Sequence, residues 1–91
     1  MRTFEYIKSL IHQGSLEAAE KELQDNTSPA SFSESERLYL MGLVYSKRSD
    51  WANAKGAFLK ASELDKDSPA VEALNMLTEI YDFYYKDNLN P

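Results

Sequence analysis

The spacing of apolar residues between Leu38 and Ala61 is the feature that most restricts how this chain can fold. Apolar side chains recur there at intervals of three and four, which indicates helices with one apolar face. Gly42 and Gly56 interrupt the two runs, although an interior glycine costs a helix about 1 kcal/mol relative to alanine. Two helices approach to about 8–10 Å only where side chains are small. We therefore expect Gly42 to lie at a helix–helix contact, whereas Gly56 has no evident packing role.

The rest of the chain has the same periodicity and few β-branched residues, so an all-α fold is predicted. Ser33 and Glu36 have the spacing of a capping box at the start of a helix. The stretch "DNTSPASFS" around Pro29 is predicted to be a loop. Other expected boundary residues are Gly14 at a helix end, Ser15 and Asp50 as N-caps, and Ser68 with Pro69 at a helix start. Five helices are predicted, at about 3–13, 16–24, 34–48, 51–64 and 69–86.

The third and fourth predicted helices carry a pattern that resembles one repeat of the tetratricopeptide repeat (TPR) family. That family shows W-x2-L-G-x2-Y followed by A-x3-F, and this chain has L-x2-M-G-x2-Y followed by A-x3-F. Residues 35–68 therefore resemble one TPR unit. Gly42, Tyr45, Ala54, Phe58 and Ala61 match the family pattern, Leu38 and Met41 are apolar replacements, and Trp51 stands where the family usually has an aromatic residue.

The neighbouring segments repeat this pattern at a constant offset of 35 residues. Gly14, Leu16, Ala19 and Leu23 correspond to Ser49, Trp51, Ala54 and Phe58, and Ala73, Met76, Leu77 and Ile80 correspond to Leu38, Met41, Gly42 and Tyr45. The resemblance implies a TPR-like right-handed α-solenoid. It would form one domain over residues 1–91, with repeat 1 at about 2–32, repeat 2 at about 33–67 and a capping helix at about 68–86.

TPR domains bind an extended peptide or a helix along a concave groove, so the resemblance implies a protein-interaction module or scaffold. Tyr39 and Leu43 stand where carboxylate-binding members would have basic or amide residues, which argues against binding of a C-terminal carboxylate. An apolar or mildly basic segment would suit the groove better. The groove candidates are Phe4, Lys8 and His12 on the first helix, Tyr39, Leu43 and Ser46 on the third, and Leu74, Thr78 and Tyr81 on the fifth, with Glu36 and Asp82 at the edge. Alternatively, these side chains mainly hold adjacent helices together.

The aromatic cluster "EIYDFYYKDN" in the last helix gives a second hypothesis. Tyr81, Phe83, Tyr84 and Tyr85 lie within five residues, which makes the apolar arc of this helix wide. The cluster either covers the fourth helix or forms a contact surface. In the second case the chain would be a self-assembling structural unit that dimerises through this helix, so we expect a monomer or a weak homodimer.

Composition and charge argue against several other functions. The chain has 91 residues, no cysteine, one histidine and a formal net charge of −5. No segment has the clustered lysine and arginine that nucleic acids or anionic membranes require, and the N-terminus lacks the pattern of a signal peptide. His12 has no catalytic or metal-binding partner in the sequence, and no phosphate-binding loop or hydrolase motif is present. We therefore expect a cytoplasmic protein with no catalysis, metal or cofactor, and a small helical enzyme is the least favoured alternative.

Overall fold

The computed structural model describes residues 3–24 and 32–85, with side chains described as far as Leu77. Those residues form an all-helical structure with no strand, and none of the described helices is long and apolar enough to cross a membrane. Five helices are present: α1 Phe4–His12, α2 Leu16–Gln24, α3 Glu34–Lys47, α4 Trp51–Leu64 and α5 Ala70–Tyr85. The five predicted helices are confirmed to within one residue at each end. Most of the predicted loop "DNTSPASFS" lies outside the described residues.

Local hydrogen bonds at the helix starts explain these boundaries. The Ser33 hydroxyl accepts from the Glu36 backbone N–H at 3.1 Å, and the Glu36 carboxylate accepts from the Ser33 N–H at 2.8 Å, so the capping box is confirmed. Ser68 accepts from the backbone N–H two residues on at 3.1 Å. The prediction for Asp50 is wrong in one respect, because its side chain makes no cap hydrogen bond. The Asp50 carboxylate instead accepts from the Asn53 side-chain amide at 2.7 Å.

The turns after α1 and after α3 have the same backbone geometry. Gly14 has φ +86° and Ser49 has φ +59°, and these two residues are the pair related by the 35-residue offset. In each turn the next residue donates its N–H back across the helix end, Ser15 to the Leu10 carbonyl at 2.9 Å and Asp50 to the Tyr45 carbonyl at 2.8 Å. This is the Schellman arrangement, which satisfies the free carbonyls at a helix C-terminus. Both hairpins therefore close in the same way.

Helix α3 lies at the centre of the packing and contributes to two apolar cores. Tyr39 and Leu43 pack against both cores, and an ion pair between Arg48 and Glu20 also joins the turn after α3 to α2. The first core lies among α1, α2 and α3, and the second among α3, α4 and α5. Their buried residues are Ile7, Ile11, Ala19, Leu23, Leu40 and Val44 in the first core, and Ala54, Phe58, Ala61, Ala70 and Leu77 in the second.

Helices α3 and α4 pack antiparallel and in close contact. The Ser35 hydroxyl at the start of α3 donates to the Ala61 carbonyl near the end of α4, at 2.9 Å and out of contact with solvent. Gly42 faces the buried ring of Phe58, so the expectation that this glycine lies at the helix contact is confirmed. A Cβ at Gly56 would meet nothing within 4 Å, in agreement with the absence of a packing role.

Candidate functional site

An open cavity of about 430 Å³ lies between α3, the start of α4 and the first half of α5. We call it the α3–α5 groove. Most of its described wall is apolar, and the charged side chains in that part of the wall belong to α3 and α5. The lining residues are Tyr39, Leu43, Ser46 and Lys47 on α3, Trp51 and Phe58 on α4, Pro69 just before α5, and Glu72, Ala73, Met76 and Leu77 on α5.

Three of the predicted groove residues line this cavity together. Tyr39, Leu43 and Ser46 follow one another on α3 at intervals of four and three, so the helix directs them to one face. Each is only partly buried. These three side chains therefore form the α3 wall of the cavity.

Tyr39 occupies the centre of a row of aromatic rings and also lines the groove. Its ring centroid is 6.0 Å from that of Phe4 on α1 and 5.9 Å from that of Phe58 on α4. Burial raises the pKa of the Tyr39 phenol above its ordinary value, and the negative charge of Glu72 raises this pKa further. Tyr39 therefore both packs between neighbouring helices and forms part of the groove wall.

The Ser46 hydroxyl makes a hydrogen bond within its own helix. Its hydroxyl donates to the Gly42 carbonyl at 2.9 Å, one turn earlier in α3. This hydrogen bond uses the only proton of the hydroxyl and leaves the oxygen as an acceptor. A ligand in the groove would therefore have to donate to Ser46.

The other predicted residues have different positions. Phe4 and Lys8 do not line the cavity, and the Lys8 ammonium lies 5.8 Å from the Phe4 ring centroid on the α1 side of Tyr39. Leu74 packs beside the second core and does not line the cavity. His12 is exposed at the end of α1.

The remaining predictions concern the edge of the groove and the second half of α5. The Glu36 carboxylate is engaged in the capping box, and the acidic side chain that lines the groove is instead Glu72. The side chains of Thr78, Tyr81 and Asp82, and those of the aromatic cluster, lie outside the described residues.

Part of the groove wall was not predictable from the sequence. The TPR pattern predicts a packing role for Trp51, and the 35-residue offset aligns Met76, which is 64% exposed and lines the groove, with Met41. No sequence motif points to Lys47 or Glu72. The helical spacing of Glu72, Ala73, Met76 and Leu77 places them on one side of α5, but only the packing of α5 against α3 brings that side to the groove.

The groove offers apolar contact and a few hydrogen-bonding groups. Among the residues whose side chains are described, no group of three or more His, Asp or Glu is placed to hold a metal ion. A concave wall of tyrosine, tryptophan, leucine and methionine side chains with a few polar groups is the usual composition of a binding site. Its chemistry is suited to non-covalent recognition.

Comparison with known proteins gives one informative likeness. No protein-family model matches the chain, and a search of curated proteins found no match. The chain is similar to the solution NMR structure of the Bacteroides fragilis protein BF1650, with 39% sequence identity and a TM-score of 0.80. The alignment covers 99% of this chain and 91% of that protein.

Proposed function

The chain belongs to the same family as the Bacteroides fragilis protein BF1650, and from the α3–α5 groove we propose that it is a protein-interaction module without catalysis of its own. The proposed ligand is a peptide or helix of a partner protein, bound in the α3–α5 groove. The observation that carries this proposal is the open apolar cavity, whose wall combines the half-buried Tyr39, Leu43 and Trp51 with the exposed Met76.

The composition of the wall supports protein recognition. Tyrosine, tryptophan and methionine are enriched at protein interfaces, where they provide large contact area. Methionine also adapts its shape to a ligand, because its side chain is unbranched and polarisable. Covering such a wall yields about 25 cal/mol for each Å² of apolar surface removed from water. A partner side chain seated against Met76 and Leu43 would therefore gain affinity without any new charge contact.

We further propose that the helices form a TPR-like solenoid. Three observations support this arrangement. Both helical hairpins end their first helix in a Schellman motif at positions 35 residues apart. The Gly42 position of the TPR pattern lies against Phe58. Successive helices pack as neighbours around α3, which is how repeat arrays bury their cores.

A second candidate function is self-association through α5. It is favoured by the exposed apolar side chains on that helix, since Val71 is 37% exposed and Met76 is 64% exposed. Val71 does not line the groove, whereas Met76 does. Sedimentation of the wild-type protein and of Val71→Lys at two concentrations separates the candidates. Association that Val71→Lys abolishes would favour self-assembly, and a monomer at both concentrations would remove this candidate.

Substitution of the groove wall tests the proposed function. Partners captured on the wild-type chain are compared with those captured on a variant that combines Tyr39→Ala with Leu43→Ala, and on Leu43→Ala alone. The matched control combines Tyr6→Ala with Leu59→Ala, because these side chains are 44% and 43% exposed and lie away from the groove. Circular dichroism confirms that each variant is folded.

The groove variants are expected to lose the partner that the control retains. Tyr39 also packs between Phe4 and Phe58. Two variants that leave this aromatic row intact are therefore compared as well: Leu43→Ala, and Met76→Lys at an exposed position. Unchanged affinity in all folded groove variants would contradict the proposed function.

A further inference from the structure

Among the side chains that the structure describes, two charged ones line the α3–α5 groove, and they have opposite signs. Lys47 is the last residue of α3 and Glu72 lies in the first turn of α5, and both are exposed. The other described lining residues are neutral. A ligand in this groove would therefore meet one positive and one negative group.

These two charges lie toward opposite ends of the groove. Glu72 is close enough to Tyr39 for its charge to act on the phenol. Lys47 lies at the other end of the α3 wall, beside the turn that leads to Trp51. Tyr39 and Lys47 are eight residues apart on α3, which is a rise of about 12 Å at 1.5 Å per residue. The groove thus has an acidic end at Glu72 and a basic end at Lys47.

We infer that the groove binds an extended segment of another protein in which a basic and an acidic residue lie four positions apart, in either order, with a large apolar residue midway between them. The inference rests on the proposed function and names the chemistry of the partner. The basic residue would lie at Glu72, the apolar residue in the middle of the groove between Leu43 and Met76, and the acidic residue at Lys47.

Strand geometry sets this spacing. An extended chain advances about 3.3 Å per residue, so four residues cover about 13 Å, close to the rise of about 12 Å along α3 from Tyr39, on which the Glu72 charge acts, to Lys47. Side chains at i, i+2 and i+4 of an extended segment point to the same side. All three recognition residues would therefore face the groove, with the basic residue at Glu72 and the acidic residue at Lys47 whichever of them comes first in the segment.

Three synthetic peptides test the inference. "GRAFAEG" carries one basic and one acidic residue around phenylalanine, "GRAFARG" carries two basic residues and "GEAFAEG" carries two acidic residues. Trp51 is the only tryptophan in the sequence and lines the groove, so its fluorescence reports binding of each peptide. The peptides are titrated into the wild-type protein at about 0.1 M and about 1 M salt, where screening differs about threefold in length.

The wild-type protein is expected to bind "GRAFAEG" roughly fivefold more tightly than either of the other peptides at the lower salt concentration, because each of the others brings one like charge to the groove. The preference should shrink at the higher salt concentration. Lys47→Glu makes both ends of the groove acidic and should shift the preference to "GRAFARG", and Glu72→Lys makes both ends basic and should shift it to "GEAFAEG". The control variants Lys21→Glu and Glu17→Lys make the same changes of net charge on the exposed surface of α2 and should leave the preference for "GRAFAEG" unchanged.

Two results would overturn the inference. Equal binding of the three peptides, unaffected by Lys47→Glu or Glu72→Lys, would show that the groove binds without charge selection and would leave the proposed function standing. Failure of all three peptides to bind would show that the chemistry of the segment is wrong. The proposed function itself fails only if the Leu43→Ala and Met76→Lys variants keep full affinity for a captured partner.

Discussion

Gly42 lies directly against the ring of Phe58. A Cβ added at Gly42 would be 2.6 Å from Cδ1 and 2.8 Å from Cζ of that ring, closer than carbon atoms pack. The first hairpin has Ile7 and Leu23 at the equivalent positions, 35 residues earlier, and both are buried. The two hairpins therefore divide the space between their helices differently, with a small residue facing a large one in the second.

Gly42→Ala should destabilise the protein by about 1–2 kcal/mol, because overpacking of a filled core outweighs the better helix propensity of alanine. Gly42→Leu should cause a larger loss, since the two helices would have to separate. Chemical denaturation measures both changes. Unfolding of either variant within error of the wild type would contradict the packing account.

A compensating change should restore part of this loss. Phe58→Leu removes ring atoms that meet the new Cβ, and it brings the pair closer to the Ile7 and Leu23 combination of the first hairpin. The loss of unfolding free energy in the variant with both Gly42→Ala and Phe58→Leu is expected to be smaller than the sum of the two single losses by at least about 0.5 kcal/mol. A double-mutant cycle gives this coupling, and strict additivity would show that the two side chains do not compete for space.

Gly56→Ala should have the opposite effect to Gly42→Ala. The added Cβ meets nothing within 4 Å, so only the helix propensity changes, and the free energy of unfolding should rise by about 0.5–1 kcal/mol. Thermal unfolding of the two alanine variants side by side measures the contrast. A loss of stability in Gly56→Ala would mean that the space beside this glycine is occupied.

Ser35→Ala should weaken the contact between the start of α3 and the end of α4. The variant leaves the buried Ala61 carbonyl without the Ser35 hydroxyl, at an expected loss of about 1 kcal/mol. Ser62→Ala is the matched control, because the Ser62 hydroxyl donates at 2.8 Å to the Leu59 carbonyl on an exposed part of α4. Equal effects of the two substitutions would show that burial of the Ser35 hydrogen bond has no consequence.

The raised pKa of Tyr39 predicts a loss of stability at alkaline pH. As pH rises, tyrosine in the unfolded chain ionises near its ordinary value of about 10, while burial and Glu72 keep the folded phenol neutral to higher pH. The contribution of neutral Tyr39 is therefore fully present below about pH 10 and is lost as pH rises through the folded pKa. Tyr39→Phe should not show this loss. If the free energy of unfolding falls equally with pH in Tyr39→Phe and in the wild type above about pH 10, Tyr39 is not the cause of the loss.

The parts of the fold that were predictable depend on neighbours in the sequence. The capping box of Ser33 and Glu36 and the helix end at Gly14 involve residues no more than a few positions apart. The position of Gly42 at a helix contact was predictable because two helices approach closely only where side chains are small. Residue type alone did not show that the Asp50 carboxylate would bond to Asn53 instead of capping the helix.

The groove was only partly predictable, because its wall is assembled from three helices. Tyr39, Leu43 and Ser46 share one helix face and were found together. Trp51 and Met76 join them only through the packing of α4 and α5 against α3, which no local pattern specifies. The Ser35 hydrogen bond to Ala61 spans 26 residues and was missed for the same reason.

Amide chemical-shift mapping of the protein with a captured partner locates the contact surface without any substitution. If the partner binds in the α3–α5 groove, the largest shifts will occur at residues 39–47 of α3 and 69–77 around the start of α5, with little change at Tyr6 and Leu59. Shifts concentrated on the outer face of α4, or confined to residues 78–85 of α5, would show that the partner does not bind in the α3–α5 groove.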